Sequence, residues 1–128
     1  MIKILKHIFK DKIYDDYIIQ ALEKYSDTSG TIKIFDFGAN LGFFPIRCCE
    51  LWFQLGLKVK IDFVLFEPSE NCFYRLVKNL KPFSSKSFSF DIHHKLVGKR
   101  SGWDWFIEDR DHHIGQCVSK RIESNGHR

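Results

Sequence analysis

No two of the four cysteines in this 128-residue chain, at positions 48, 49, 72 and 117, are spaced as Cys-x-x-Cys. Cys48 and Cys49 adjoin inside one apolar helical stretch and Cys72 falls in another. Buried thiols in a reducing, cytoplasmic compartment are therefore expected, rather than a disulfide framework. No lysine- or arginine-rich block stands behind the formal net charge of +4. Mild basicity without clustering reads as solvated surface and argues against a nucleic-acid partner. No apolar run is long enough to span a bilayer. Residues 1–10 have the faint outline of a secretory leader, but Lys3, Lys6, His7 and Lys10 break its apolar core and no small-residue cleavage site follows. Internal repeats and low-complexity tracts are also absent, and the length suits one domain at most.

Thirteen phenylalanines supply ample material for a core. Apolar residues at 2, 5, 9 and 13 trace one helical stripe, and Tyr14, Ile18, Leu22 and Tyr25 trace a second. Residues 1–29 thus form an N-terminal helical segment ending in the Ser26-Asp27-Thr28-Ser29-Gly30 loop. The strongest signal follows. A β-branched, apolar strand over 32–37 ends in Asp36-Phe37, then comes the turn Gly38-Ala39-Asn40-Leu41-Gly42, then an apolar helix over 43–55. Gly38 and Gly42 permit backbone angles closed to other residues and let a ligand approach the main chain. The free N–H groups of the following helix face whatever sits there. Pro45 belongs in the first turn of that helix and Gly56 ends it. Apolar residues on nearly every face predict deep burial.

A second strand is expected from about 59 to 66, ending in Glu67, at a distance that suits one βαβ unit. Its dense apolar run predicts a parallel strand covered on both faces. An acid at its tip is placed to accept from a ribose diol. Ser69 should cap the next helix, which carries Phe73, Leu76, Val77 and Leu80 on one side and stops at Lys81-Pro82. A period-2 run then sets Phe88, Phe90, Ile92 and Leu96 on one face and Ser87, Ser89, Asp91, His93 and Lys95 on the other, a strand with one solvent-facing side. Residues 103–108 and 114–119 read as a hairpin, and the polar tail 121–128 as frayed.

These residues match a known pattern. Asp36-Phe37-Gly38-Ala39-Asn40-Leu41-Gly42-Phe43 resembles the D-x-G-A-N-x-G-[FY] element of FkbM-type methyltransferases, which use S-adenosylmethionine. Phe66-Glu67-Pro68-Ser69, with Leu76 and Asn79-Leu80, resembles the same family's F-E-P-x and L-x-x-N-L elements. Leu96-Val97-Gly98 and Ser101-Gly102 look like its A-L-x-x…G segment. The resemblance covers roughly residues 30–120 and implies a Rossmann-like class I methyltransferase sheet. It further implies that Asp36, Gly38, Asn40 and Gly42 line the methionine end of the cofactor and that Glu67 holds the ribose hydroxyls. The physics agrees: the sulfonium is cationic, so a nearby carboxylate is favourable, and one carboxylate can accept from two hydroxyls. The family continues with a K-[IV]-D-[VI]-E-G-like strand that is missing here. The expectation is an α/β domain holding the first three strands of that sheet plus a hairpin, with the edge of strand 32–37 open to self-association.

The implied activity is O-methylation of a glycan or other small hydroxylated acceptor, with little turnover expected of the chain as it stands. The competing expectation is a non-catalytic binding or assembly module. Asn40 stands where the dinucleotide fingerprint G-x-G-x-x-G needs its second glycine, which argues against NAD. Asp36 suits either ligand contact or a structural role in the turn. His93-His94 and His112-His113 with Cys117 do not have the spacing of a zinc site, since neighbours on a strand point to opposite faces. Trp103 and Trp105 share a strand face and read as hairpin cover or core. No nucleophile set can be assembled, and methyl transfer needs none.

Overall fold

The structure, a computed structural model, describes residues 3–27, 30–99 and 101–102, and the backbone of 105–109 and 114–118. Its centre is a parallel three-stranded sheet, with β1 at Ile32–Phe37, β2 at Ile61–Phe66 and β3 at Phe88–His93, in the order β1-β2-β3. The crossovers run through helix α3 (Phe43–Gln54) and helix α4 (Glu70–Leu80). Ahead of them come α1 (Lys3–Leu5), a π-helical turn (Lys6–Lys10) and α2 (Asp15–Tyr25). A separate antiparallel pair, β4 (Trp105–Asp109) and β5 (Ile114–Val118), forms the expected hairpin. Trp103, His112, His113 and the tail 121–128 lie outside the described residues, as do the side chains of Trp105 and Cys117.

Pairing in register stacks Ile32, Ile61 and Phe88, then Ile34, Phe63 and Phe90, then Asp36, Leu65 and Ile92 on one face of the sheet. That face meets Cys48, Cys49, Leu51 and Trp52 of α3, Leu76 and Leu80 of α4, and Ile18 and Leu22 of α2 in one buried cluster. The opposite face carries Lys33, Phe35, Phe37, Asp62, Val64, Phe66, Ser89, Asp91 and His93. The expectation that β2 is covered on both faces is therefore corrected. Ile61, Phe63 and Leu65 are fully buried, whereas Asp62, Val64 and Phe66 between them keep partial exposure. An apolar run alone does not distinguish a two-faced strand from one whose second face is half covered by its own neighbours. Here Phe35, Phe37, Phe66 and His93 stack in a row at centroid spacings of 6.3, 5.3 and 5.0 Å.

Several local signals are realised as their chemistry dictates. Ser69 accepts from the N–H of Cys72 and caps α4. Pro45 is buried in the first turn of α3, and Gly56 follows its C-cap with φ +65°. The Trp52 indole donates to the Val59 carbonyl at 2.8 Å, which places Val59 just ahead of β2 rather than within it. Three other expectations shift. The first N-terminal stripe breaks at Asp11–Tyr14, where Lys12 adopts φ +54°, so Ile8 is buried and Ile13 is exposed. Phe53 points out of α3 and Val77 out of α4. Leu96 falls beyond the end of β3 and is exposed.

The N-terminal helices are fastened by a buried ionic clamp. Arg47 of α3 donates through Nε and Nη2 to the two carboxylate oxygens of Asp15 at 2.9 and 2.6 Å, and through Nη1 to Glu50 at 2.8 Å. The guanidinium holds the Asp15 carboxyl below its ordinary range. Removing Asp15 would leave the buried Arg47 guanidinium with only the half-exposed Glu50 carboxylate as a partner and so weaken the docking of α2.

Candidate functional site

The turn between β1 and α3 hangs from the end of β2. The Phe66 carbonyl accepts the N–H groups of both Gly38 and Ala39, at 2.8 and 3.0 Å. The Glu67 carboxylate accepts the N–H of Asn40 through Oε1 at 2.8 Å and that of Ser69 through Oε2 at 2.7 Å. One buried side chain, 6% exposed, thereby ties the β1–α3 turn to the β2–α4 turn. Asn79 adds a third tie, its amide donating to the Leu41 carbonyl at 2.8 Å. Left-handed angles at Gly38 (φ +87°), Asn40 (φ +55°) and Gly42 (φ +89°) let the chain reverse within this space.

The two glycines serve different ends. A Cβ at Gly38 would meet nothing within 4 Å, so the main chain there lies open to an approaching molecule. A Cβ at Gly42 would stand 2.9 Å from Leu76 Cδ1, with Leu80 atoms at 3.2 and 3.3 Å. Gly42 is thus required by the packing of α3 on α4, and it borders no open space. α3 begins at Gly42 without a side-chain cap.

A cleft of about 340 Å³ opens beside this turn, within the ~300–1,000 Å³ range of small-molecule sites. Asp36, Gly38 and Asn40 line it, together with Phe35, Phe37, Phe43 and Phe44. Its outer wall is Ile4, Ile8 and Tyr14 of the N-terminal segment. Of the five residues singled out in the sequence, three therefore border the cleft. Gly42 is packed behind it, and Glu67 stands beneath the turn as its anchor. The contribution of Tyr14 and the π-helical turn was not legible, because it depends on how a distant segment docks through Asp15 and Arg47. The aromatic pair Phe43-Phe44 at the helix start was the available signal.

Asp36 is the chemically unusual member. Its Oδ2 is buried without a hydrogen-bond partner among the described residues. Burial, with the neighbouring Glu67 charge, raises its pKa from 3.8 to about 6. Cys48 and Cys49 beneath the site are buried thiols, and burial pushes Cys49 up to about 12, so neither is a nucleophile at neutral pH. His93 stacks on Phe66, while His94 stacks on Phe73 and lies 3.0 Å from the Pro68 carbonyl. Among the described residues no three histidine, cysteine or acidic side chains come together as metal ligands. No family model and no curated protein matches the chain.

The Asp36 geometry makes a prediction about stability. Its folded pKa lies above the unfolded value, so between about pH 4 and 6 the native state holds more protons and stability falls as pH rises. Above pH 6 the full penalty, on the order of 2–3 kcal/mol, is present. Asp36→Asn should therefore stabilise the chain by ~1–3 kcal/mol at pH 7.5 and have little effect near pH 4, as read by urea unfolding. An Asn variant less stable than the parent at pH 7.5 would contradict this reading of the carboxylate.

Proposed function

We propose that this chain binds S-adenosylmethionine in the cleft beside β1 and belongs to a methyltransferase of the FkbM type, acting on a hydroxyl of a glycan or other small acceptor. One observation carries the reading. A buried Asp36 carboxylate oxygen with no hydrogen-bond partner among the described residues and Gly38, where an added Cβ would meet nothing within 4 Å, line the same cleft. The residues fit the cofactor. Asp36 offers an anionic acceptor to a ligand bearing positive charge, and Gly38 and Asn40 offer main-chain approach. Glu67 holds the turn in shape by accepting from the Asn40 and Ser69 N–H groups. When bound, the cofactor supplies an activated methyl group. The chain's own share is to position it and exclude water, and orientation of this kind is worth up to ~7–11 kcal/mol of a reaction barrier. The resemblance of Asp36–Gly42 and Phe66–Ser69 to the family elements supports the same reading.

Isothermal titration of the chain with S-adenosylmethionine tests it. Saturable binding is expected, and Gly38→Val should abolish it while the chain still melts cooperatively, because the new side chain fills the approach and strains a left-handed position. Absence of binding, or equal binding by the Val variant, would overturn the proposal.

Among the described residues β1 is an edge strand, which favours a second reading, an assembly module. Ile32 and Gly38 turn their N–H groups to β2, so residues 33, 35 and 37 turn theirs to the sheet's outer edge. A second copy pairing antiparallel about Phe35 would set Lys33 beside Phe37 of its partner on the exposed face and hydrogen-bond all three outward residues. Phe35 and Phe37 are 55% and 61% exposed. Under this reading light scattering gives a dimer, and Phe35→Lys, which opposes like charges at the two-fold axis, gives a monomer. A monomeric parent chain would sink it.

A further inference from the structure

We propose that the outer edge of β1 is a strand-addition site, which takes an extended segment of another protein bearing a lysine or arginine at the position that faces Asp36. The cleft follows that edge and does not sit over one face of the sheet. Asp36 lines it from the covered face, Phe35 and Phe37 line it from the opposite face, and no described residue of β2 or β3 takes part. Among the described residues no strand lies beyond β1, and Lys33, Phe35 and Phe37 turn their main-chain groups outward. Such an edge is a template for a further strand. Main-chain bonds supply the affinity, and alternate side chains reaching to the two faces supply the specificity. The site stands whether or not S-adenosylmethionine enters the same cleft.

Charge selects the occupant. The buried Asp36 oxygen has no partner among the described residues, and such a group is costly until a donor or counter-charge reaches it. No lysine or arginine lines the cleft among the described residues, and the Arg47 guanidinium of α3 is taken by Asp15 and Glu50. Asp36 bonds towards β2. A residue opposite it on an added antiparallel strand therefore falls in the closer, non-hydrogen-bonded kind of pair, with Cα atoms about 4.5 Å apart. Opposite charges in such a pair attract. A second copy of β1 does not meet this need. Every antiparallel register that matches outward residues with outward residues sets an even-numbered residue of the copy against Asp36, namely Ile32, Ile34 or another Asp36. Neither isoleucine brings a cation, and the third choice opposes like charges. A segment of a different protein can place a basic residue there. Apolar residues two positions away on the same side then meet the wall of Ile4, Ile8 and Tyr14, and those on the other side meet the exposed rings of Phe35 and Phe37.

The test uses the full chain at pH 7.5, where Asp36 is ionised, and a matched pair of end-blocked peptides of alternating threonine and valine. One carries lysine in place of its central valine, the other uncharged norleucine. In an NMR titration at constant ionic strength the lysine peptide should bind about tenfold or more tightly than the norleucine peptide. The amides of Lys33, Phe35 and Phe37 should gain protection from hydrogen exchange on binding, and Asp36→Asn should bring the ratio of affinities close to one. No binding of the lysine peptide, equal binding of the pair, a ratio that survives Asp36→Asn, or binding that leaves the three amides unprotected overturns the proposal. S-adenosylmethionine separates this site from the cofactor reading. If it binds and displaces the lysine peptide, both hold and share the cleft. Selective peptide binding with no binding of S-adenosylmethionine upholds the strand site and removes the cofactor reading, and binding of S-adenosylmethionine alone does the reverse.

Discussion

A single carboxylate holding two backbone N–H groups, one in each of two successive strand–helix turns, is the constraint on which the rest of this structure depends. Glu67 accepts from Asn40 and from Ser69, and the carbonyl just before it accepts from Gly38 and Ala39. Four donors in these two tight, partly buried turns are thereby satisfied from one point at the end of β2. Charge-assisted bonds of this kind are short and about twice as strong as neutral ones. The turn's shape follows, with three left-handed residues, a main chain left open at Gly38, and α3 started against Leu76 and Leu80 through Gly42.

The cost of that arrangement is concentrated at Asp36. Placing a second carboxyl on the covered face of β1, near Glu67 and beneath helices, raises its pKa and leaves one oxygen unpartnered. A residue chosen for stability alone would be apolar at this register position, since Leu65 and Ile92 flank it on the same face. Retaining an acid there makes sense where a ligand supplies the missing partner. The cleft that would admit the ligand exists only because the N-terminal segment docks across the end of β1, held by Arg47 and Asp15. Sheet, turn and N-terminal clamp thus converge on one small volume.

Much of this was readable from the chain. The β1–α3–β2–α4–β3 order followed from hydrophobic periodicity and from punctuation at Gly42, Gly56 and Ser69, whose roles are local and set by a few neighbours. Asp36, Gly38 and Asn40 stood out for the same reason. What escaped was non-local. The ion pair of Arg47 with Asp15 joins residues 32 apart, and no periodicity signals it. The half-open outer face of the sheet escaped because Val64 and Phe66 are as apolar as core residues, and their exposure depends on what packs above them. The role of Glu67 as an anchor was hidden because a carboxylate at a strand tip looks the same in sequence whether it binds ligand or main chain. The break at Lys12 had no sequence signal beyond a charged stretch between two stripes.

The central claim is that the Glu67 carboxylate shapes the turn by accepting from Asn40 and Ser69, and amide hydrogen exchange of those two residues in the parent chain and in Glu67→Gln tests it most directly. In the variant one carboxylate oxygen becomes an NH2 group, which cannot accept. The account predicts that at least one of the two amides loses protection by about tenfold or more while the amides of β2 keep theirs, consistent with the ~1–3 kcal/mol cost of an unsatisfied buried donor. Unchanged protection at both Asn40 and Ser69 would show that the turn holds its form without the carboxylate and would contradict the account.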